Sequence, residues 1–362
     1  MISKKINEKD RDEMLGDLCV FIVNRYPPLT SIYRWTEDLA LSINNAEWIN
    51  LLFYPEGWEH PHKGIDFRSR FIGNSTLTHT FRNFSFRAAV NYIKSKKEGR
   101  RMLIHYTNQF SGTFNFEDET EIVSVHDSPN YFESSSVRSK IFMHHLYSSI
   151  KDKEFITTNT AVLARELKEY GFTGQITTIH LSYSPTFQKL DEKKEDIRGR
   201  LGLPLDKKLV LSVSTNSPRK NLLTVARVIR LLGEEFRLVR VGSQLEGSIT
   251  FERVNDEKLN EIYNACDVLL FPSLYEGFGL PIVEAFATGL PVVTSDIPTI
   301  REVAGDAAIL VDPYDIDSIS TGVREAVNNE QIAERGMNRA KEFTRTKFSE
   351  RISSFYQSIL KS

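Results

Sequence analysis

Short runs rich in valine, isoleucine and leucine alternate with segments of helical period from one end of this chain to the other. The first series is Leu18–Val23, Trp48–Tyr54, Met102–Tyr106, Ile122–His126 and Ile176–Leu181. The second is Leu209–Val213, Phe236–Val241, Val268–Phe271, Pro291–Thr294 and Ala307–Val311. Between them lie helix-like stretches such as Ala161–Tyr170, Leu222–Leu232, Glu257–Cys266 and Pro281–Ala287. Strands buried on both faces read as continuous apolar runs, and parallel neighbours need crossover helices. The pattern predicts an α/β protein with parallel, doubly wound, Rossmann-like sheets covered by helices.

A chain of 362 residues is too long for one ordinary domain and suits two. The charged, poorly periodic stretch Lys189–Arg200 separates the two series, and Leu201-Gly-Leu-Pro204 opens the second. The expected division is 1–187, 188–342 and a final helix, 343–362. In that last segment Phe343, Phe348, Ile352, Phe355 and Ile359 recur about once per turn. Such a stripe needs a surface to lie on, and the first domain is the candidate.

Charge and cysteine content narrow the function. Forty-six basic against forty-eight acidic residues give a formal charge of -2, which disfavours a general nucleic-acid binder. The two cysteines, Cys19 and Cys266, form neither a disulfide framework nor a zinc set, and the chain reads as cytoplasmic. The first seventeen residues are not a signal peptide, and no apolar run is long enough to span a bilayer. No metal-ligand cluster has persuasive spacing; His144-His145 reads as a surface pair on a helix.

The densest chemical signal is Phe271-Pro-Ser-Leu-Tyr-Glu-Gly-Phe-Gly-Leu-Pro-Ile-Val-Glu-Ala-Phe-Ala-Thr-Gly289. A buried strand ends at Phe271, Gly277 and Gly279 follow, and Pro281 suits the first position of a helix. Glycines admit a ligand close to the backbone, and a helix start offers unpaired N–H groups. That makes a phosphate seat at the carboxyl end of parallel strands. Glu276 and Glu284 flank it, and a carboxylate accepts from neighbouring sugar hydroxyls. Singly, each of these residues reads as a turn or a solvated helix position. Together, after a buried strand, they read as a site for a phosphorylated polyol.

A second loop, Ser214-Thr-Asn-Ser-Pro-Arg-Lys-Asn-Leu222, also joins a strand to a helix, with Asn221 a plausible helix cap. Alone it is an exposed basic turn. Beside the first loop, Arg219 and Lys220 supply the two fixed charges that a diphosphate needs.

These motifs, in this order and spacing, resemble the C-terminal domain of GT-B-fold, retaining glycosyltransferases of family 4, the glycosyl transferases group 1. The resemblance runs from about Leu201 to Asp312 and includes the Pro-Arg-Lys-Asn loop, the Glu-x7-Glu pair Glu276–Glu284 and Pro291-Val-Val-Thr-Ser-Asp-Ile-Pro-Thr-Ile-Arg-Glu-Val-Ala-Gly305. The first half matches more loosely, through Pro27-Pro28 with Arg34, His126-Asp127 and Ile176–Phe187. The resemblance implies two Rossmann-like domains facing a cleft, and no tightly bound cofactor or metal. It also implies a nucleotide diphosphate sugar, UDP- or GDP-linked, as donor. By the same resemblance Arg219 and Lys220 hold the diphosphate and Glu284 the ribose. Glu276 meets the transferred sugar, backbone N–H groups of Phe278, Gly279 and Leu280 touch sugar and phosphate, and Arg253 and Val254 hold the base. His126 faces the donor sugar from the first domain.

The sequence departs from that family where paired glycines usually lie near the donor phosphates. Here the stretch is Pro27-Pro-Leu-Thr-Ser-Ile-Tyr-Arg34, which leaves Thr30 and Ser31 as substitutes. A glycine before the Arg-Lys loop is also replaced, by Ser212 and Ser214. For the acceptor, a glycan or a lipid-linked sugar, the first domain offers Lys63–Arg101, where ten basic side chains face Asp66 and Glu98 with five phenylalanines interleaved. Two readings of that stretch stand: an ordinary solvated helix, or a peripheral contact with anionic lipid on the cytoplasmic membrane face. Oligomeric state is not legible. The competing functions are a non-catalytic GT-B scaffold subunit, a GT-B nucleotide-sugar epimerase and a sugar phosphorylase.

Overall fold

The computed structural model describes residues 18–24, 31–42, 46–50, 65–66, 91–95, 101–110, 112, 119–131, 137–327 and 329–361. Thr30 and most of Lys63–Arg101 lie outside them, as does the side chain of Ser31.

Among the described residues seven strands make the first sheet: β1 (Leu18–Asn24), β2 (Ala46–Asn50), β3 (Ile65–Asp66), β4 (Arg101–Tyr106), β5 (Thr120–Val125), β6 (Phe155–Thr158) and β7 (Gln175–Thr178). Their order is β3-β2-β1-β4-β5-β6-β7. Six make the second: β8 (Lys208–Val213), β9 (Phe236–Val241), β10 (Ile249–Phe251), β11 (Val268–Phe271), β12 (Val292–Ser295) and β13 (Ile309–Val311), in the order β10-β9-β8-β11-β12-β13. Every pairing is parallel. Two Rossmann-like sheets of α/β class result. In each, the order reverses once, between β1 and β4 and between β8 and β11, and loops leaving such a switch point are where open sheets bind ligands.

The helices are α1 (Ser31–Leu41), α2 (Val137–Ile150), α3 (Ala161–Tyr170), α4 (Lys194–Leu201), α5 (Leu222–Leu232), α6 (Asp256–Ala265), α7 (Leu280–Thr288), α8 (Pro298–Ala304), α9 (Ile316–Ala326), α10 (Glu330–Ala340) and α11 (Arg345–Lys361). Local chemistry sets their ends. Thr160 caps α3 by accepting from the Leu163 N–H at 3.2 Å, and Gly171 closes it in the left-handed conformation that a side chain disfavours. In α5 the buried Val225, Val228 and Leu232 form one stripe, which packs with Val210 and Leu270 of the sheet.

Lys189–Arg200, read above as a charged separator, contains all but the last residue of α4. One of its charges is used inside the fold: Arg198 is buried, donates to the Ala265 carbonyl at 2.8 Å and pairs with Asp267 at 2.6 Å. A short charged helix carries no apolar period, so the pattern could not show it.

One apolar cluster joins the two halves. It gathers Val20, Ile22, Trp35 and Leu103 from the first sheet and its helix, and Phe278, Leu280 and Val283 from the second half. Phe348, Ile352, Phe355 and Ile359 of α11 complete it. The chain crosses outward near Tyr183 and returns at Phe343, and the Tyr183 N–H donates to the Phe343 carbonyl at 3.1 Å. Asp38 of α1 fixes both crossings, accepting from the Ser182 hydroxyl and from Arg345 at 2.7 Å. Among the described residues no helix is long and apolar enough to cross a membrane.

Candidate active site in the interdomain cleft

The loops that leave β8 and β11 are the two singled out from sequence, and they emerge side by side at the switch point. They are also laced together. The Leu274 N–H donates to the Arg219 carbonyl at 2.8 Å, and the Asn221 amide donates to the carbonyls of Pro272 (3.2 Å) and Pro313 (2.8 Å). Asn221 therefore does not cap α5 with its side chain, as the sequence suggested. It sits left-handed at φ 55°, where asparagine is tolerated, and spends its amide on three converging loops. Pro281 takes the second position of α7 rather than the first.

Lys220 and Glu276 form a buried ion pair at 2.5 Å, with Lys220 over the Phe271 ring. Arg219 reaches across the cleft to Asp127, 3.9 Å away, and lies over Tyr275. Gly279 holds φ +100° at the start of α7, and no protein acceptor for the N–H groups of Phe278, Gly279 or Leu280 occurs among the described residues. The Phe278 and Leu280 side chains go into the shared apolar cluster, so only their backbone can serve a ligand. The hydroxyls of Ser214, Ser273 and Ser295, at the carboxyl ends of β8, β11 and β12, are buried without partners among the described residues. Sequence reasoning noted Ser214 only as the replacement of a glycine and gave Ser273 and Ser295 no role. Buried orphan hydroxyls call for a polar partner, and nothing in a sequence shows that three strand ends converge.

Glu284 is buried on α7, and both its oxygens are engaged. Oε2 accepts from the Tyr263 hydroxyl at 2.8 Å; Oε1 accepts from Arg34 of α1 at 2.5 Å. The same guanidinium donates to Asp256 at 2.9 and 3.1 Å and stacks over Phe187. Burial works against its charge, but Glu284 and Asp256 outweigh burial and hold its pKa above the ordinary value. Arg34 thus plugs the carboxylate assigned to the ribose. Nearby, Arg253 adopts φ +51° immediately before Val254 and the Asn255 cap of α6, an uncommon conformation for a residue with a side chain.

The first domain closes on this cradle through the segment after β5. Tyr131 stacks on Tyr275 with ring centres 3.8 Å apart, and the Ser128 N–H donates to the Tyr275 hydroxyl at 2.6 Å. A Cβ on Gly277 would lie 2.2 Å from the His126 carbonyl oxygen, so a side chain there would hold the domains apart. His126 meets the donor loop with that carbonyl. Its ring is buried in the first domain, with Nε2 bonded to the Thr107 carbonyl at 2.7 Å and Nδ1 2.9 Å from the Asn159 amide. Burial lowers its pKa against the opposing pull of Thr107, Asp127 and Asn159. On the far side of the cleft Glu302 of α8 accepts from the N–H groups of Ala161 (2.7 Å) and Val162 (2.9 Å) at the start of α3, and pairs with His180 at 3.0 Å. Among the described residues no group of three or more His, Cys, Asp or Glu side chains could hold a metal ion.

Beneath the Arg-Lys loop lies another cation that the motifs did not reveal. Arg240 of β9 is wholly buried and donates to the carbonyls of Ser212 (3.1 Å), Val241 (2.8 Å) and Ser214. Burial lowers its pKa to about 10, which leaves it charged at neutral pH. The guanidinium fixes the strand end from which the loop departs.

Known proteins resemble this chain in sequence over its second half and in fold over nearly its whole length. Residues 193–343 match the family described as Glycosyl transferases group 1. O-antigen chain mannosyltransferase B of Escherichia coli is 35% identical over 159 residues, which is 37% of this chain and 42% of that protein. The O-antigen chain mannosyltransferase RfbU of Salmonella typhimurium is 25% identical over 279 residues, 71% of this chain and 75% of its own. The aligned part thus spans under half of the first relative and three quarters of the second. Among solved structures, sucrose-phosphate synthase from Thermosynechococcus elongatus superposes with a TM-score of 0.75 over 95% of this chain and 99% of its own, at 17% identity. Anabaena Alr3699/HepE in complex with UDP and glucose gives 0.74 over 94% and 99%, at 15% identity. The overall arrangement is the GT-B fold, and the part of the chain that carries the cradle, residues 193–343, is what matches the glycosyl transferases group 1 family.

Proposed function

We propose that the protein is a retaining, metal-independent glycosyltransferase that moves a sugar from a nucleotide diphosphate sugar to a hydroxyl of a glycan or lipid-linked acceptor. The names of its relatives make a mannosyl group the first donor to try. The observation that carries the reading is one cluster: Arg219 and Lys220 beside the orphan N–H groups of α7, with Glu276 and Glu284 on either side.

In this reading the donor diphosphate lies between the Arg-Lys loop and the start of α7. Breaking the bond from the sugar carbon to phosphate leaves negative charge on the diphosphate and positive charge on the ring. Preorganised cations and N–H dipoles at the departing oxygen are the largest available aid. The acceptor hydroxyl attacks from the face the diphosphate leaves, and its proton passes to the departing phosphate oxygen, so configuration is kept. Glu276 exchanges part of its bond to Lys220 for hydroxyls of the transferred sugar. Glu284 takes the ribose hydroxyls once Arg34 withdraws, and the backbone around Arg253 and Val254 lines the base. His126 contributes its carbonyl and a rigid floor instead of a titrating ring. Arg219, Lys220, Glu276 and Glu284 occur together at one cleft, which a non-catalytic scaffold would have no need to keep.

The test is thermal stabilisation by UDP, GDP, ADP and TDP of the wild type and of Glu284→Ala. One diphosphate should stabilise selectively, and the variant should lose roughly 1.5–3 kcal/mol of binding, the value of hydrogen bonds to a charged group. Equal affinity in the variant would remove Glu284 from the ribose. Transfer from the matching mannosyl and glucosyl nucleotides, with the product's anomeric configuration read by NMR, then decides donor and stereochemistry.

A further inference from the structure

Among the described residues of the first domain, three of the four large apolar side chains left exposed lie on α2, the fourth being Leu41 of α1. Val137, Ile141 and Phe142 are 71%, 64% and 53% exposed, although the later turns of the same helix bury Leu146, Tyr147 and Ile150 in the core. Val137 and Ile141 lie one turn apart on the face opposite the buried one. Arg138 and His145 flank them on one side, Lys140 and His144 on the other, and all four are exposed. The helix contains no Asp or Glu, and among the described residues neither Arg138 nor Lys140 is ion-paired. A helix apolar towards the core and again away from it needs a second apolar neighbour.

We infer that this outer face of α2 docks on an anionic lipid bilayer. Apolar side chains flanked by basic ones are the pattern of a helix seated in the headgroup layer, where the apolar tips enter the acyl boundary and the cations meet phosphates. A second copy of the chain is the poorer partner, because a two-fold contact would set Arg138 and Lys140 against themselves. The surface also borders the cleft. A shallow cavity lined by Pro129, Asn130, Lys140, His144 and Tyr170 joins it to the segment whose Ser128 and Tyr131 grip Tyr275. A substrate anchored in the bilayer would therefore meet the donor loop at the membrane surface. This goes beyond the transfer reaction and does not depend on it.

Flotation of the full chain with vesicles tests it, using phosphatidylcholine alone and phosphatidylcholine mixed with phosphatidylglycerol. The wild type should float with the anionic vesicles and be released by salt. The pair Arg138→Gln with Lys140→Gln should lower partitioning roughly tenfold or more, given the value of each basic residue near such a surface. Val137→Ser with Ile141→Ser should do the same by removing apolar contact. All four positions are exposed, so the fold is not at stake, and stabilisation by the nucleoside diphosphate checks that on the same samples. A wild type that ignores anionic vesicles, or variants that float as well as it does, would overturn the proposal. So would concentration-dependent self-association in light scattering that Val137→Ser with Ile141→Ser abolishes. Lost nucleotide stabilisation with intact flotation would instead count against the donor site.

Discussion

Arg34 should be a gate on the nucleotide site, and its removal has a calculable effect. Arg34→Met deletes two contacts of unequal weight. The pair with Asp256 is 32% exposed on the carboxylate side and is worth at most about 1 kcal/mol after solvent screening. The bond to Glu284 is different, because that carboxylate is only 5% exposed. Breaking a fully buried pair costs about 3–5 kcal/mol. Here Tyr263 keeps one oxygen bonded and Arg34 itself is 21% exposed, so about 2 kcal/mol is the better figure. The unliganded variant should therefore unfold at lower urea, with the loss confined to contacts between the domains. Nucleotide binding should move the other way. If ribose must displace Arg34 from Glu284, deletion removes that opposing free energy, and about 2 kcal/mol corresponds to a gain of roughly thirtyfold in affinity. Calorimetric titration of wild type, Arg34→Met and Arg34→Lys with the stabilising diphosphate measures it. A variant that binds more weakly than the wild type would refute the reasoning and make Arg34 part of the nucleotide seat. Unchanged affinity would show that the ribose never approaches Glu284.

Lys220→Ala should depress kcat far more than it raises the donor KM, because leaving-group charge peaks in the transition state; equal effects on both would reduce the lysine to ground-state binding. Gly277→Ala sets a methyl against the His126 carbonyl, so kcat should fall while diphosphate binding to the second domain survives; normal turnover would show that closure does not bring these backbones together. The acid limb of stability should carry a contribution from Glu302. Burial alone would raise its pKa, but bonds from His180, Ala161 and Val162 outweigh burial and hold it below the usual glutamate range. A depressed carboxyl contributes above its unfolded pKa and loses that contribution as pH falls through the folded value. Glu302→Gln should therefore flatten the loss of stability below about pH 4.3, and an unchanged acid transition would mean that the α3 cap contributes nothing.

Much of the fold was legible because it depends on local pattern. Buried parallel strands such as Val268–Phe271 need apolar side chains on both faces, and α5 needs a stripe at helical spacing, so both could be read at their true positions. Elements whose stability comes from elsewhere were not legible. The helix α4 depends on Arg198 finding Asp267 sixty-nine residues away, and β6 pairs only once β5 and β7 flank it.

The cleft divides the same way. Glycines at 277 and 279, two glutamates eight positions apart and an Arg-Lys turn stood out in the sequence only as a set, each alone reading as an ordinary turn or helix position. Which of those groups is already occupied is a question of contact, and the tertiary structure alone answers it. Arg34 stands 250 residues from Glu284 and reaches it across the packed contact between the two halves. His126 could be picked out as a histidine at a strand end, but only the packing shows that its ring is buried between Thr107 and Asn159. Sequence determines which chemistry the strand ends can offer. Packing across the cleft decides which of it is available, because a charge or hydroxyl excluded from water must take whatever partner the opposite domain presents.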